Sequence, residues 1–169
     1  MWLTRERKVE IGGIPLSCFS ASYQGSDFNP NMVSVGIDPG RNFGITFISE
    51  LETRIYFGTM PSDTHEKYGL FASELISEFC NYHCMTMGDL ITIEGAAYGS
   101  TFGQVGLAEI RFGFYLGAQR EGYDPVIVPP ASIRKRVFGS AKVHAGDIWP
   151  TLNHNAADSF AIALYPLIG

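Results

Sequence analysis

No stretch of this chain is long and apolar enough to span a bilayer. Its first ten residues, Met1 to Glu10, are too polar and charged for a secretory signal. The expected setting is therefore cytoplasmic, or the nucleoid of a host cell or organelle, and neither secreted nor membrane-bound. Cysteine is scarce. Cys18, Cys80 and Cys84 make an odd number with no C-x-x-C pair, which argues against a disulfide framework or a zinc site and leaves buried thiols as the default. Positive charge is also short: 12 Lys and Arg against 17 Asp and Glu give a net charge of −5, the wrong sign for a protein that coats nucleic acid. Internal repeats, low-complexity tracts and linkers are missing too, so the 169 residues read as one domain with a sizeable core.

What positive charge there is lies in groups. Arg5, Arg7 and Lys8 form one, and Arg134, Lys135, Arg136 and Lys142 form another, with His144 just beyond. An acidic total can hide a local basic face. It can also reflect a carboxylate cluster that counts as negative until a metal arrives.

The stretch Val33 to Ile48, VSVGIDPGRNFGITFI, reads as a strand, a tight turn at Asp38-Pro39-Gly40 and a second strand leaving from Phe43. Pro39 cannot donate a ladder hydrogen bond, so pairing breaks there. A carboxylate at the end of an apolar, central strand is costly unless it is solvated, paired or bound to a metal. On this stretch alone Asp38 is either a turn residue or part of a site.

Residues 1–32 mix Gly, Pro, Ser and Asn with short apolar pieces and are expected to form an ordered extension, a hairpin or an arm, ahead of a main domain over 33–169. After the Asp38 hairpin, Thr53 to Thr59 alternates as a third strand. A helix starts at Ser62-Asp63-Thr64, carries Tyr68, Leu70, Phe71, Leu75, Ile76, Phe79 and Tyr82 at helical spacing, and is closed by Gly88. Asp89 to Glu94 is a short buried strand that again ends on a carboxylate. Leu107 to Arg120 is an amphipathic helix whose small residues permit close packing against the sheet or a partner. Pro125 to Val128 is a fifth strand, and Pro129-Pro130 restarts the chain as a helix bearing the basic group. The last helix begins near His154 or Asn155, and Pro166 ends or kinks it. Three strands on short turns followed by alternating helices and strands indicate an α/β fold, a mixed sheet with helices on its faces.

If the strands ending in Asp38 and Glu94 are parallel neighbours, both carboxylates lie at one edge of the sheet, where α/β folds place their sites. Asp158, a charge amid Ala, Ala, Phe and Ala on the last helix, is explained by solvent exposure or by a shared cation. Three carboxylates from distant parts of the chain suit Mg²⁺ or Mn²⁺, which take oxygen ligands and leave positions open for water and phosphate.

VGIDPGRNFGITFI, ITIEGAAYG, and IRKRVFGSAK followed by NAADSFAIAL come in an order, spacing and strand or helix context that resembles the RuvC family of Holliday-junction resolvases, within the ribonuclease H-like superfamily. The resemblance runs from about Val33 to Leu164. It implies a ribonuclease H-like mixed sheet of five strands flanked by helices, and a Mg²⁺-dependent endonuclease, with Mn²⁺ able to substitute, that resolves four-way DNA junctions in recombination or repair. It further implies that Asp38, Glu94 and Asp158 are catalytic metal ligands. The family's fourth ligand is usually Asp, in some members His, three residues before the last Asp. Here that position is Asn155, with His154 beside it; His154, Asn155 or Asp147 fills the role, or His154 or Asn155 only caps the helix. The segment ahead of the last helix is shorter than in bacterial members, so a helix there is shortened or missing, and residues 1–32 have no counterpart.

In the resolvase pattern, basic residues matching Arg134 and Lys142 lie along the DNA path, and Lys135 and Arg136 share that group. A solvated helix face is the plainer alternative. Tyr98 and Phe102, just past Glu94, stand near the family's aromatic wedge for an unpaired base, or else belong to the core. Two symmetric cuts call for a twofold dimer, for which the helix Leu107 to Arg120 is the candidate seam unless its small residues only pack it on the sheet. The competing readings are another structure-selective DNA or RNA nuclease on the same fold, and a binding module that has lost its chemistry. Asn155 and the acidic net charge favour the latter.

Overall fold

The computed structural model describes residues 2–22, 33–50, 52–61, 66–86, 89–96 and 104–168. Strands β1 (Trp2–Leu3), β2 (Arg7–Ile11) and β3 (Ile14–Ser22) precede β4 (Ser34–Asp38), β5 (Asn42–Ile48) and β6 (Thr53–Thr59). Then come α1 (Glu66–Tyr82), β7 (Leu90–Glu94), α2 (Gln104–Arg120), β8 (Val126–Val128), α3 (Pro130–Phe138), α4 (Ala145–Ile148), α5 (His154–Leu164) and a closing 3-10 turn, Tyr165–Leu167. No helix among the described residues is long and apolar enough to cross a membrane.

The strands form one mixed sheet in the order β1-β3-β6-β5-β4-β7-β8, with β2 also paired to β3. The five strands expected of a ribonuclease H-like sheet are its β6-β5-β4-β7-β8 portion. The N-terminal strands extend that sheet: β3 runs antiparallel to β6, and β1 and β2 pair with different ends of β3. A two-residue turn at Gly12-Gly13 closes the β2–β3 hairpin, and both glycines have positive φ, as such turns require. Ile11, Leu16 and Cys18 are buried in the core that α1 shares, so the hairpin belongs to the packed body of the molecule. Residues 23–32 lie outside the described residues.

Strand alternation divides the core in two. Val35, Ile37, Phe43, Ile45, Phe47, Ile91 and Ile93 pack under α1 and α2. The opposite face carries α3, α4 and α5, with Ile55, Ile133, Leu152, Phe160 and the alanines of α5. That face holds Ser34, Gly36, Gly44 and Thr46, which are small or polar because α5 lies directly on them. A Cβ on Gly36 would overlap the backbone of Ser159 and Ala163, and one on Gly44 would overlap the carbonyl of Asn155. Ser34 Oγ donates to the Ala163 carbonyl at 2.7 Å, and the Thr46 and Ser159 hydroxyls share a 2.7 Å hydrogen bond. The helix is thereby fixed in rotation and height against β4 and β5.

Three local features differ from the sequence reading. The helix stripe of α1 is not all core: Tyr68, Leu75, Ile76 and Phe79 are buried, but Leu70 and Tyr82 are exposed. The helix ends at Tyr82, and Cys84, in a left-handed conformation at φ 50°, turns the chain before the position of Gly88. The Ser62-Asp63-Thr64 start and Gly88 lie outside the described residues. Two small residues of α2 pack on another helix of the same chain. Gly113 and Gly117 meet Gly69, Ser73 and Ile76, so the two helices touch almost backbone to backbone. The segment before the last helix holds one turn, α4, pinned by Trp149, whose ring lies 4.7 Å from Phe160 and 5.5 Å from Phe138.

Candidate active site

β4 and β7 are parallel, with Ser34 opposite Leu90 and Ile37 opposite Ile93. Continuing that register sets Asp38 beside Glu94, each the last residue of its strand. Both follow the alternation of Gly36 and Thr92, so both side chains emerge on the face covered by α5. α5 brings Asp158, one helical turn from its start, to the same place. The chemistry of the three follows from crowding. Burial, then Glu94, then Asp158 hold the Asp38 proton well above the usual carboxylate range. Burial and Asp158 push Glu94 up to about 7, against the pull of Arg134 and Arg111. Burial also raises Asp158, opposed by His154, Arg134 and His144. Three carboxyls raised by burial, two of them also by a neighbouring carboxylate, make a site short of positive charge.

Among the described residues no three His, Cys, Asp or Glu side chains stand grouped closely enough to ligate one ion as they are placed. The donor chemistry nevertheless fits Mg²⁺ or Mn²⁺: three oxygen donors, no sulfur, and a mutual repulsion that a divalent cation relieves. Asn155 is buried, and its side chain would add a neutral oxygen. The helix cap is neither Asn155 nor His154 but Asn153, whose side chain accepts from the Asn155 N–H at 3.0 Å. His154 is therefore released from the capping role; it is exposed at the first position of α5 and acts on Asp158. Asp147 is exposed on α4 and is not among the charges acting on Asp38, Glu94 or Asp158.

The basic group divides. Arg134 acts on both Glu94 and Asp158, so it borders the site. Lys135 and Lys142 are exposed beyond it. Arg136 lies 4.5 Å over the Tyr165 ring, toward the C-terminal turn. Tyr98 and Phe102 lie outside the described residues. Two groups without an assigned role in the sequence also act on the cluster. His144, just ahead of α4, acts on Asp158; its position in a loop without periodicity gave no sign of this. Arg111 donates from Nε to the Glu94 carbonyl at 3.2 Å. A charge amid Ile110, Phe112 and Phe114 was the same kind of signal that singled out Asp158.

No protein-family model and no curated protein matches the sequence. Solved structures do match. The structure of Thermus thermophilus RuvC aligns with a TM-score of 0.63 at 15% identity, over 79% of this chain and 92% of that one. T. thermophilus RuvC in complex with Holliday junction substrate aligns with a TM-score of 0.60 at 16% identity, over 79% and 91%. The fold is RuvC-like. In this RuvC-like fold the sheet edge formed by the ends of β4 and β7, roofed by the first turns of α5, brings the three carboxylates within electrostatic reach of one another, with Arg134 acting on Glu94 and Asp158.

Proposed function

We propose that this protein is a divalent-metal-dependent endonuclease that cuts branched DNA, with the four-way junction as its substrate. The observation that carries this reading is the convergence of Asp38, Glu94 and Asp158 from two strand ends and a helix, all three made more basic by burial, Asp38 also by Glu94 and Asp158, and Glu94 also by Asp158. A RuvC-like fold supports it, since one neighbour of that fold was solved with a Holliday junction substrate.

Asp38, Glu94 and Asp158 would hold the cation, which would supply polarisation of a phosphate oxygen and activation of a water at neutral pH. Arg134, on the border of the site, pairs with a backbone phosphate and sets the strand against the carboxylates, while Lys135 and Lys142 extend the contact outward. His154 and His144, both exposed and both acting on Asp158, move a proton between solvent and the departing oxygen in this reading. Paired cuts need two sites. We assign the dimer contact to the ridge of Leu70, Phe112 and Leu116, exposed by 60%, 54% and 58% along the joined α1–α2 pair.

The test is cleavage of synthetic four-way junctions beside duplex, flap and RNA–DNA hybrid substrates in Mg²⁺. Symmetric paired nicks confined to the junction are expected, abolished by Asp38→Asn with junction binding kept. Preferential cutting of flaps or hybrids would point to another nuclease on this fold. An Asp38→Asn variant that cuts at the native rate removes the mechanism. A native protein that binds junctions but neither Mn²⁺ nor Mg²⁺ is the binding module that the neutral Asn155 favours.

A further inference from the structure

Glu94 ends the central part of the sheet, and its surroundings are asymmetric. The last rung there is the Gly95 N–H to the Val128 carbonyl, at 2.8 Å. The Glu94 carbonyl instead accepts from Arg111 Nε, which reaches over from α2, the layer opposite to the one that brings Asp158. Arg111 is partly buried between buried Ile110 and Phe114, and it makes no ion pair and no other hydrogen bond among the described residues. A guanidinium held in an apolar helix for one bond to a backbone oxygen needs a reason, because desolvating it is costly. Glu94's charge offsets part of that cost, and the planar, permanently charged head gives Nε a fixed direction that an ammonium lacks.

We propose that Arg111 is a positioning residue: it holds the end of β7 so that the Glu94 carboxylate stays turned toward Asp38 and Asp158. This rests on the nuclease reading, since it gives the Glu94 carboxylate a task. Arg111 also places a cation behind the cluster. The two effects have opposite signs for an incoming metal. As a cation Arg111 repels it, and as a clamp Arg111 keeps a ligand in place. Removing the side chain therefore separates them.

The experiment is a Mn²⁺ titration of the full chain without DNA, read by electron paramagnetic resonance of the free ion. Thermal melting, metal-free junction binding and single-turnover cleavage accompany it. For Arg111→Gln the expected result is Mn²⁺ affinity weaker by about tenfold. Melting temperature should stay within a few degrees of native, junction affinity within about twofold, and the cleavage rate should fall with the metal affinity. Arg111→Lys, which keeps charge without the directed Nε–H, should fall between native and Gln. Mn²⁺ binding in Arg111→Gln that is equal to or tighter than native overturns the proposal and leaves Arg111 a counter-charge. If the Gln variant does not fold, the Lys variant decides, and native Mn²⁺ affinity there overturns it. A native protein that binds no Mn²⁺ sinks the nuclease reading and this role together, whereas native binding and cleavage with an unaltered Arg111→Gln sinks only this role.

Discussion

Glu94 carries the clearest consequence at the scale of one residue. Burial, then Asp158, lift its carboxyl from an ordinary 4.5 to about 7 in the metal-free protein. The unfolded chain releases this proton near pH 4.5, while the folded chain keeps it to about pH 7. Stability from this group is therefore full below pH 4.5 and is lost as pH rises through 7, by up to about 3 kcal/mol. Asp38 is raised in the same direction by burial, Glu94 and Asp158. Urea melts in chelator should show the native protein less stable at pH 8 than at pH 5, with Glu94→Gln much flatter. Saturating Mn²⁺ should reverse the slope, because the cation needs the carboxylates ionised. Equal slopes for native and Gln proteins would mean that the crowding does not act on Glu94. The three acidic residues were legible in the sequence because each is a charge closing or interrupting an apolar run. Arg111 met that criterion as well. Its role stayed hidden because its partner is a backbone oxygen, which no sequence pattern displays. His144 acts through a loop, and its approach to Asp158 depends on where α4 docks.

At the scale of elements, the site stands on the contact between α5 and the sheet. Gly36 and Gly44 are the places where that helix meets backbone, so an added methyl has no flexible side chain to push aside. Overpacking against backbone falls at the high end of its usual range. Gly36→Ala should cost about 3 kcal/mol, and Gly44→Ala a similar amount, measured by urea denaturation. Gly44 faces the Asn155 carbonyl, in the first turn of α5, whereas Gly36 faces Ser159 and Ala163 further along. Gly44→Ala should therefore lose more Mn²⁺ affinity per unit of lost stability than Gly36→Ala. Equal ratios would show that the helix shifts as a rigid rod. Existence and order of these elements were legible from periodicity and turn residues. The two glycines read only as strand residues in an IDPG-type hairpin, because the reason for them lies more than a hundred residues away in α5. The small residues of α2 misdirected in the same manner: their spacing announced a close contact but not that α1 supplied it.

At the scale of the whole molecule, the net charge of −5 pointed away from nucleic acid, yet it includes the three carboxylates that the proposed function assigns to a divalent cation. Residues 2–22 of the extension, the hardest segment to read, add β1, β2 and β3 to the same sheet, and the alternation of β3 shows only once β6 is beside it. Among the described residues an apolar ridge stands exposed on the helix layer. Leu70, Phe112 and Leu116 stand exposed along α1 and α2, on the far side of the helix layer from the sheet. The close Gly113–Gly69 approach makes that helix pair a rigid platform. A twofold contact there joins like to like, so one substitution alters the interface twice. Stable dimers bury roughly 1,200–2,000 Å² in all, and apolar anchors at the centre dominate their energy. Phe112→Lys and Leu116→Lys should leave thermal stability of the monomer nearly unchanged, since both side chains are already exposed, while sedimentation equilibrium shifts from dimer to monomer. If two sites act on one junction, the monomeric variants should nick each junction once and at unrelated positions on the two strands. A native monomer in sedimentation that still delivers paired cuts would place the second site's assembly on the DNA, and a Lys variant that remains dimeric would move the seam elsewhere.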